Sequence, residues 1–155
     1  MPSEQHDSLV RLGARWLRKN GFGVVATELD AAGCRERPDV IGFRSSCSAI
    51  IEVKVSRSDF MADSRKPERN GAPGVGVYRF YLAPVNVIGI DELPPRWGLL
   101  HEQNGRVVEV LRPGGNIWPE FGGAKEIGNW HLFQHQPDLA AERSVLYSIA
   151  RRLAS

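Results

Sequence analysis

Arg37-Pro38-Asp39-Val40-Ile41-Gly42-Phe43 and, after a short polar break, Ala49-Ile50-Ile51-Glu52-Val53-Lys54-Val55 decide the reading of this chain. Both runs are apolar enough for strands covered on two faces, yet they contain Asp39, Glu52 and Lys54. Charges in such a setting are costly to desolvate and call for a compensating purpose. Side chains alternate along a strand, so Glu52 and Lys54 share one face while Ile51, Val53 and Val55 take the other. Antiparallel pairing of 38–44 with 49–55 through an even-length loop brings Asp39 to the face of Glu52. A two-residue turn at Ser45-Ser46 sets Asp39 opposite Glu52, and a four-residue turn sets it opposite Lys54. In either register the two carboxyl groups are neighbours, roughly 5–8 Å apart between carbons. Facing carboxylates repel unless a cation lies between them, and Mg²⁺ with oxygen ligands at about 2.0–2.1 Å suits such a pair. The pattern fits a metal and a water held against a phosphodiester. A solvated salt-bridge cluster is the commoner fate of charged strand residues, and the apolar flanks argue against it here.

Working outward, Leu9, Leu12, Trp16 and Leu17 mark an amphipathic helix over 6–20, ended by Asn20-Gly21. Residues 24–29 read as a first strand, and 56–66 as a helix with Ser56 and Asp59 placed for a capping box. The glycine-rich stretch from Asn70 to Gly76 reads as a flexible flap. Residues 78–83 form a further strand closed by Pro84. The runs 97–101 and 107–111 flank Asn104-Gly105, a strong hairpin signal, and a final helix covers about 138–153. The expected fold is α/β, a mixed central sheet of about four to six strands flanked by helices, in the order α-β-β-β-α-β with a C-terminal hairpin and helix. One domain is expected over 1–155, with a core at about 6–84 and an extension at 95–155.

Composition narrows the classes. The chain is 42% hydrophobic and 25% charged, which excludes a disordered polyelectrolyte. A net charge of +2 excludes a polybasic arm, so any nucleic-acid surface must be local. Cys34 and Cys47 lack metal-ligand spacing and are expected as reduced thiols. No stretch approaches a membrane span and no apolar signal core opens the chain, so a cytoplasmic protein without a membrane partner is expected.

Pro38-Asp39, twelve intervening residues and Glu52-Val53-Lys54 resemble the PD-(D/E)XK motif of the restriction-endonuclease-like nuclease superfamily. The element order resembles that superfamily's core. Residues 52–63, Tyr78-Arg79-Phe80-Tyr81 and Trp97-Gly98-Leu99-Leu100 are similar to the small MmcB-like DNA-repair and phage-associated group. The resemblance implies a Mg²⁺- or Mn²⁺-dependent deoxyribonuclease, an endonuclease in preference to an exonuclease, acting in DNA repair or phage and host DNA processing. It implies Asp39, Glu52 and the Val53 carbonyl as metal ligands and Lys54 at the attacking water. Beside two carboxylates an ammonium should hold its proton, so Lys54 is assigned to orienting water and stabilising transition-state charge rather than to base catalysis.

Glu28, near the end of the first strand, is the candidate third carboxylate, with Glu4 a weaker alternative. Ser56 and Arg57, at the start of the helix that follows, are the expected phosphate contacts, with Lys66 and Arg79 adding basic surface. His131 and His135 have the i, i+4 spacing of a zinc pair, but no third ligand is near and Pro137 crowds the segment. Trp118 is the tryptophan singled out for base stacking. DNA is the expected partner, and pairing into a homodimer is common for nucleases that cut both strands. The alternatives are a non-cleaving DNA-binding or repair-partner module on the same fold, and a metal-binding subunit of a larger assembly.

Overall fold

The computed structural model describes residues 3–69, 71–123 and 127–154. Helix α1 (Glu4–Lys19) begins at Ser3, whose hydroxyl accepts the His6 N–H. It buries Leu9, Val10, Ala14, Trp16 and Leu17. Strands β1 (Val24–Thr27), β2 (Val40–Phe43) and β3 (Ser48–Val53) follow, then helix α2 (Arg57–Asp63) and a 3₁₀ turn at Pro67–Arg69. Strand β4 (Tyr78–Pro84), strands β5 (Trp97–Gln103) and β6 (Arg106–Leu111), and helix α3 (Leu139–Ala154) complete the chain. The architecture is α/β, with one six-stranded sheet in the order β1-β2-β3-β4-β5-β6. The β3–β4 and β4–β5 pairs are parallel and the other three antiparallel.

Strand alternation sorts the core into two layers. Val40, Ile51, Val53, Phe80 and Leu82 face α1. Ile41, Ile50, Tyr81, Ala83 and Leu99 face the other way, toward Phe60 of α2 and Ala141 and Val145 of α3. Glu52 shares the parity of Ile50 and Asp39 that of Ile41, so both belong to the α2/α3 side. In the β5–β6 hairpin, Asn104 and Gly105 both have positive φ, 54° and 76°, the two-residue turn whose twist matches its strands. At Gly98 an added Cβ would lie 2.4 Å from Phe80 and 2.8 Å from the Leu111 carbonyl. Gly98→Ala is therefore expected to cost about 1–3 kcal/mol through overpacking, read as a lower urea midpoint.

Several expectations require correction. Strand β1 stops at Thr27 because Glu28 turns into the left-handed region, φ 49°. Helix α2 stops at Asp63, and the Ser64 hydroxyl bonds back to the Met61 carbonyl. Asn70 lies outside the described residues, but Gly74, Val75 and Gly76 are buried rather than flap-like. Val75 N donates to Glu36 at 3.0 Å, Gly76 N donates to Glu142 at 2.7 Å, and Gly74 bridges to Pro137. Trp118 is 1% exposed and cannot stack on a base. It sits 5.0 Å from Phe22, 5.1 Å from Tyr78 and 5.1 Å from Trp130 at the centre of an aromatic cluster.

Candidate functional site: a carboxylate–histidine cluster over a buried ion network

The β2–β3 register pairs Val40 with Ile51 and Phe43 with Ser48, and Arg44 N donates to the Cys47 carbonyl. Of the two registers left open by the sequence, the two-residue turn at Ser45-Ser46 is the one adopted, and it sets Asp39 opposite Glu52. One Asp39 oxygen accepts the Val53 N–H at 2.8 Å, which fixes the carboxylate over the end of β3. The other lies 3.6 Å from His6 Nε2, which is 3.0 Å from Glu28 Oε1. His6, Glu28 and Asp39 each offer a ligand atom, all within 4.8 Å of one another, the one such cluster among the described residues.

Local structure explains the convergence. Ser3 caps α1 and points its first turn at the sheet end. Glu28 is held in its left-handed conformation by two bonds from Arg37 to the Glu28 carbonyl, at 3.1 and 2.9 Å, and by its own N–H to the Asp39 carbonyl. A non-glycine residue with positive φ stores strain, and such strain concentrates at functional positions. Among the described residues Glu4 has no place in the cluster; His6 is the residue of that helix that reaches it.

Glu52 lies deeper, 2% exposed, and its Oε1 has no hydrogen-bond partner. Burial, then the Asp39 charge, push its carboxyl well above the usual carboxylate range. The nearest paired cation is Arg69, with Nη2 at 3.7 Å from Oε1. Arg69 belongs to a network the sequence did not reveal. Asp63, with a fully buried side chain, takes Arg69 Nε at 2.8 Å and Nη2 at 3.1 Å, and also accepts the Tyr81 hydroxyl. Burial alone would raise the Asp63 carboxyl, but the bonds and charge of Arg69, with Tyr81 and Lys54, hold it well below the usual range. Glu36 takes the remaining Arg69 nitrogen at 3.2 Å.

Lys54, expected beside Asp39 and Glu52, takes Asp63 as its ion-pair partner. Its Nζ is 3.2 Å from Asp63, and among the described residues it forms no ion pair with Asp39 or Glu52. The expected DNA contacts are also differently placed. Lys66 pairs with Asp63 at 3.1 Å while its side chain stays 45% exposed. Arg57 is clamped on Glu92 at 2.8 and 2.6 Å and on the Val87 carbonyl. Ser56 spends its hydroxyl on the Asp59 N–H and on Ser58, and Asp59 takes the Val55 N–H. Arg79 is 3% exposed and lies in a cavity wall rather than on an open basic face. His131 and His135 converge on Arg96, through the His131 carbonyl and the His135 ring, rather than on a shared metal position.

No protein-family model matches the chain, and no curated protein matches it. A solved structure of a protein of unknown function from Silicibacter pomeroyi is similar, with a TM-score of 0.64 and 23% identity over 99% of this chain and 91% of that one. At that identity the likeness carries the fold alone. Among the described residues no helix is long and apolar enough to cross a membrane.

Proposed function

We propose that this protein is a metal-dependent deoxyribonuclease with a restriction-endonuclease-like core, acting on internal phosphodiester bonds. The observation that carries the reading is Glu52 Oε1, buried without a hydrogen bond and with Arg69 no nearer than 3.7 Å, beside the His6–Glu28–Asp39 cluster. A carboxylate oxygen sealed from water without a donor is a deficit that a cation fills. The residues fit such a cation. Asp39 and Glu28 supply oxygens, His6 an imidazole nitrogen, and Glu52 with the Val53 carbonyl the deeper side. A mixed nitrogen and oxygen set suits Mn²⁺ better than Mg²⁺. A divalent ion bound there supplies Lewis acidity, lowering the pKa of water and offsetting phosphate charge.

The remaining roles belong to the chain. Lys54, anchored on Asp63 at the end of β3, presents fixed positive charge toward a pentacovalent phosphorus and orients a water, without serving as a base. Asp63 and Arg69 position Lys54 and Glu52 from beneath. The Asp39 bond to Val53 N holds one ligand rigid while its second oxygen stays available.

The test is plasmid and oligonucleotide cleavage with Mg²⁺ or Mn²⁺. Wild type is expected to nick DNA, EDTA to stop it, and Asp39→Asn to abolish it with the fold retained by circular dichroism. A non-cleaving DNA-binding module is the second reading, favoured by the commitment of Lys54 to Asp63. DNA affinity equal in wild type and Asp39→Asn, with no cleavage in either metal, would establish it in place of the nuclease.

A further inference from the structure

Beyond Arg69, on the α2/α3 side, a cavity of about 1290 Å³ opens between the loop before β4, the start of β5 and the segment leading into α3. Arg79 forms part of its lining although the residue is only 3% exposed. Its Nε donates to the Gly76 carbonyl at 3.0 Å, and among the described residues its two terminal nitrogens donate to nothing and it makes no ion pair. The acids around it are engaged elsewhere. Glu36 serves Arg69 and Val75, and Glu142 serves Ser48 and Gly76. Glu68 pairs with Arg35, and Asp138 caps α3 at Ala141. Burial of a guanidinium whose terminal nitrogens lack acceptors lowers its pKa, and Glu36, Glu142 and Glu68 offset its charge only at a distance. Its fork of donors matches an oxyanion.

Arg96 stands at the rim with φ 69°, one of five non-glycine residues with positive φ among the described residues. Only its Nη1 is occupied, by the His131 and Gln134 carbonyls. Burial, then the charges of Arg79, Arg96 and Arg69, push His135 down to about 3, so a neutral ring sits in a field of positive sign. Phe121, Pro95 and Leu139 line the cavity, and Phe121 and Leu139 are 47% and 70% exposed. Volume and lining together suit a small organic molecule.

We propose that this cavity binds a phosphomonoester, its phosphate on Arg79 and Arg96 and its organic body against Phe121, Pro95 and Leu139. Two guanidiniums favour the phosphomonoester, which carries about −1.5 to −2 charge at neutral pH, over a single carboxylate. The phosphate comes either from a free nucleotide or from the end of a DNA strand. The inference does not depend on metal binding at Asp39.

Calorimetric titration with inorganic phosphate, deoxyadenosine monophosphate, and a dinucleotide with or without a 5′-phosphate tests it. Wild type and Asp39→Asn are expected to bind the phosphate-bearing probes and to ignore the unphosphorylated dinucleotide. Preference for the mononucleotide or the phosphorylated dinucleotide tells the two sources apart. Arg79→Met is expected to fold with an equal or higher melting temperature and to bind roughly 10- to 100-fold more weakly. A purely structural arginine would instead lower the melting temperature and leave binding unchanged, and that result overturns the proposal, as does no binding by wild type. Should Arg79→Met not fold, NMR of wild type decides: the Gln134 amide and His135 ring signals shift on adding phosphate, or the site is refuted.

Discussion

Asp63→Asn is expected to lower folding stability by about 3–5 kcal/mol, the range for breaking a buried ion pair from one side. The carboxylate is fully buried and meets Arg69, Lys54 and Lys66 within 3.2 Å, with the Tyr81 hydroxyl as a further donor. An amide of the same shape removes the charge while Arg69, 1% exposed in its side chain, stays where it is. Glu36 and Glu52 would then carry its compensation alone, at 3.2 and 3.7 Å. The pH dependence separates electrostatics from packing. In the folded protein Asp63 titrates well below its unfolded value, so the folded state binds fewer protons than the unfolded one. Its contribution is complete above about pH 4, the unfolded aspartate pKa, and is lost as pH falls toward the folded value. Urea unfolding at pH 7 and at pH 3 should therefore show a large difference between wild type and Asp63→Asn at the higher pH and a smaller one at the lower. A loss below about 1 kcal/mol at pH 7 would mean the network is dispensable.

Glu52→Gln should act in the opposite direction on the metal-free protein. Glu52 titrates well above its unfolded value, so the folded state binds the extra proton and stability falls as pH rises from about 4.3 toward the folded pKa. Across that window the group removes about 1.4 kcal/mol of stability per pH unit, and Glu52→Gln is expected to abolish this slope. Added Mn²⁺ reverses the order. At a hundred times its dissociation constant a ligand stabilises the state it binds by about 2.7 kcal/mol, a gain expected in wild type and largely missing in Glu52→Gln. Thermal melts between pH 5 and 8, with Mn²⁺ and with EDTA, measure both effects. A variant less stable than wild type under EDTA at pH 8 would contradict the account of a carboxylate whose burial outweighs its pairing with Arg69.

Alternation within two short strands was enough to bring Asp39, Glu52 and Lys54 to one side of the sheet, because that period is insensitive to everything outside the strands. The turn length was not legible, since Ser45-Ser46-Cys47-Ser48 contains no residue that demands one turn type. The partners of these side chains were hidden for a different reason. His6 meets Glu28 across 22 residues and Glu36 meets Arg69 across 33, and no local pattern encodes either meeting. Lys54 reads as the partner of the nearest acids in sequence, but its partner is Asp63, at the far end of a helix of 7 residues. Among the basic residues expected at DNA, Arg57 and Lys66 keep exposed side chains while pairing with Glu92 and Asp63, and Arg79 alone is buried, because only the folded chain creates the cavity it lines.

Trp97 lies between Tyr81, stacked at 4.4 Å, and the Arg69 guanidinium, 4.5 Å from its ring. The other three tryptophans pack together on the opposite layer, in edge contacts with one another or with Tyr78 and Phe80. The indoles thus fall into two environments: one ring lies against a cation that pairs with Glu52 and Asp63, and the other three lie apart from it. A cation bound beside Glu52 is therefore expected to change Trp97 emission through Arg69, a readout on adding Mn²⁺ that Glu52→Gln should lose.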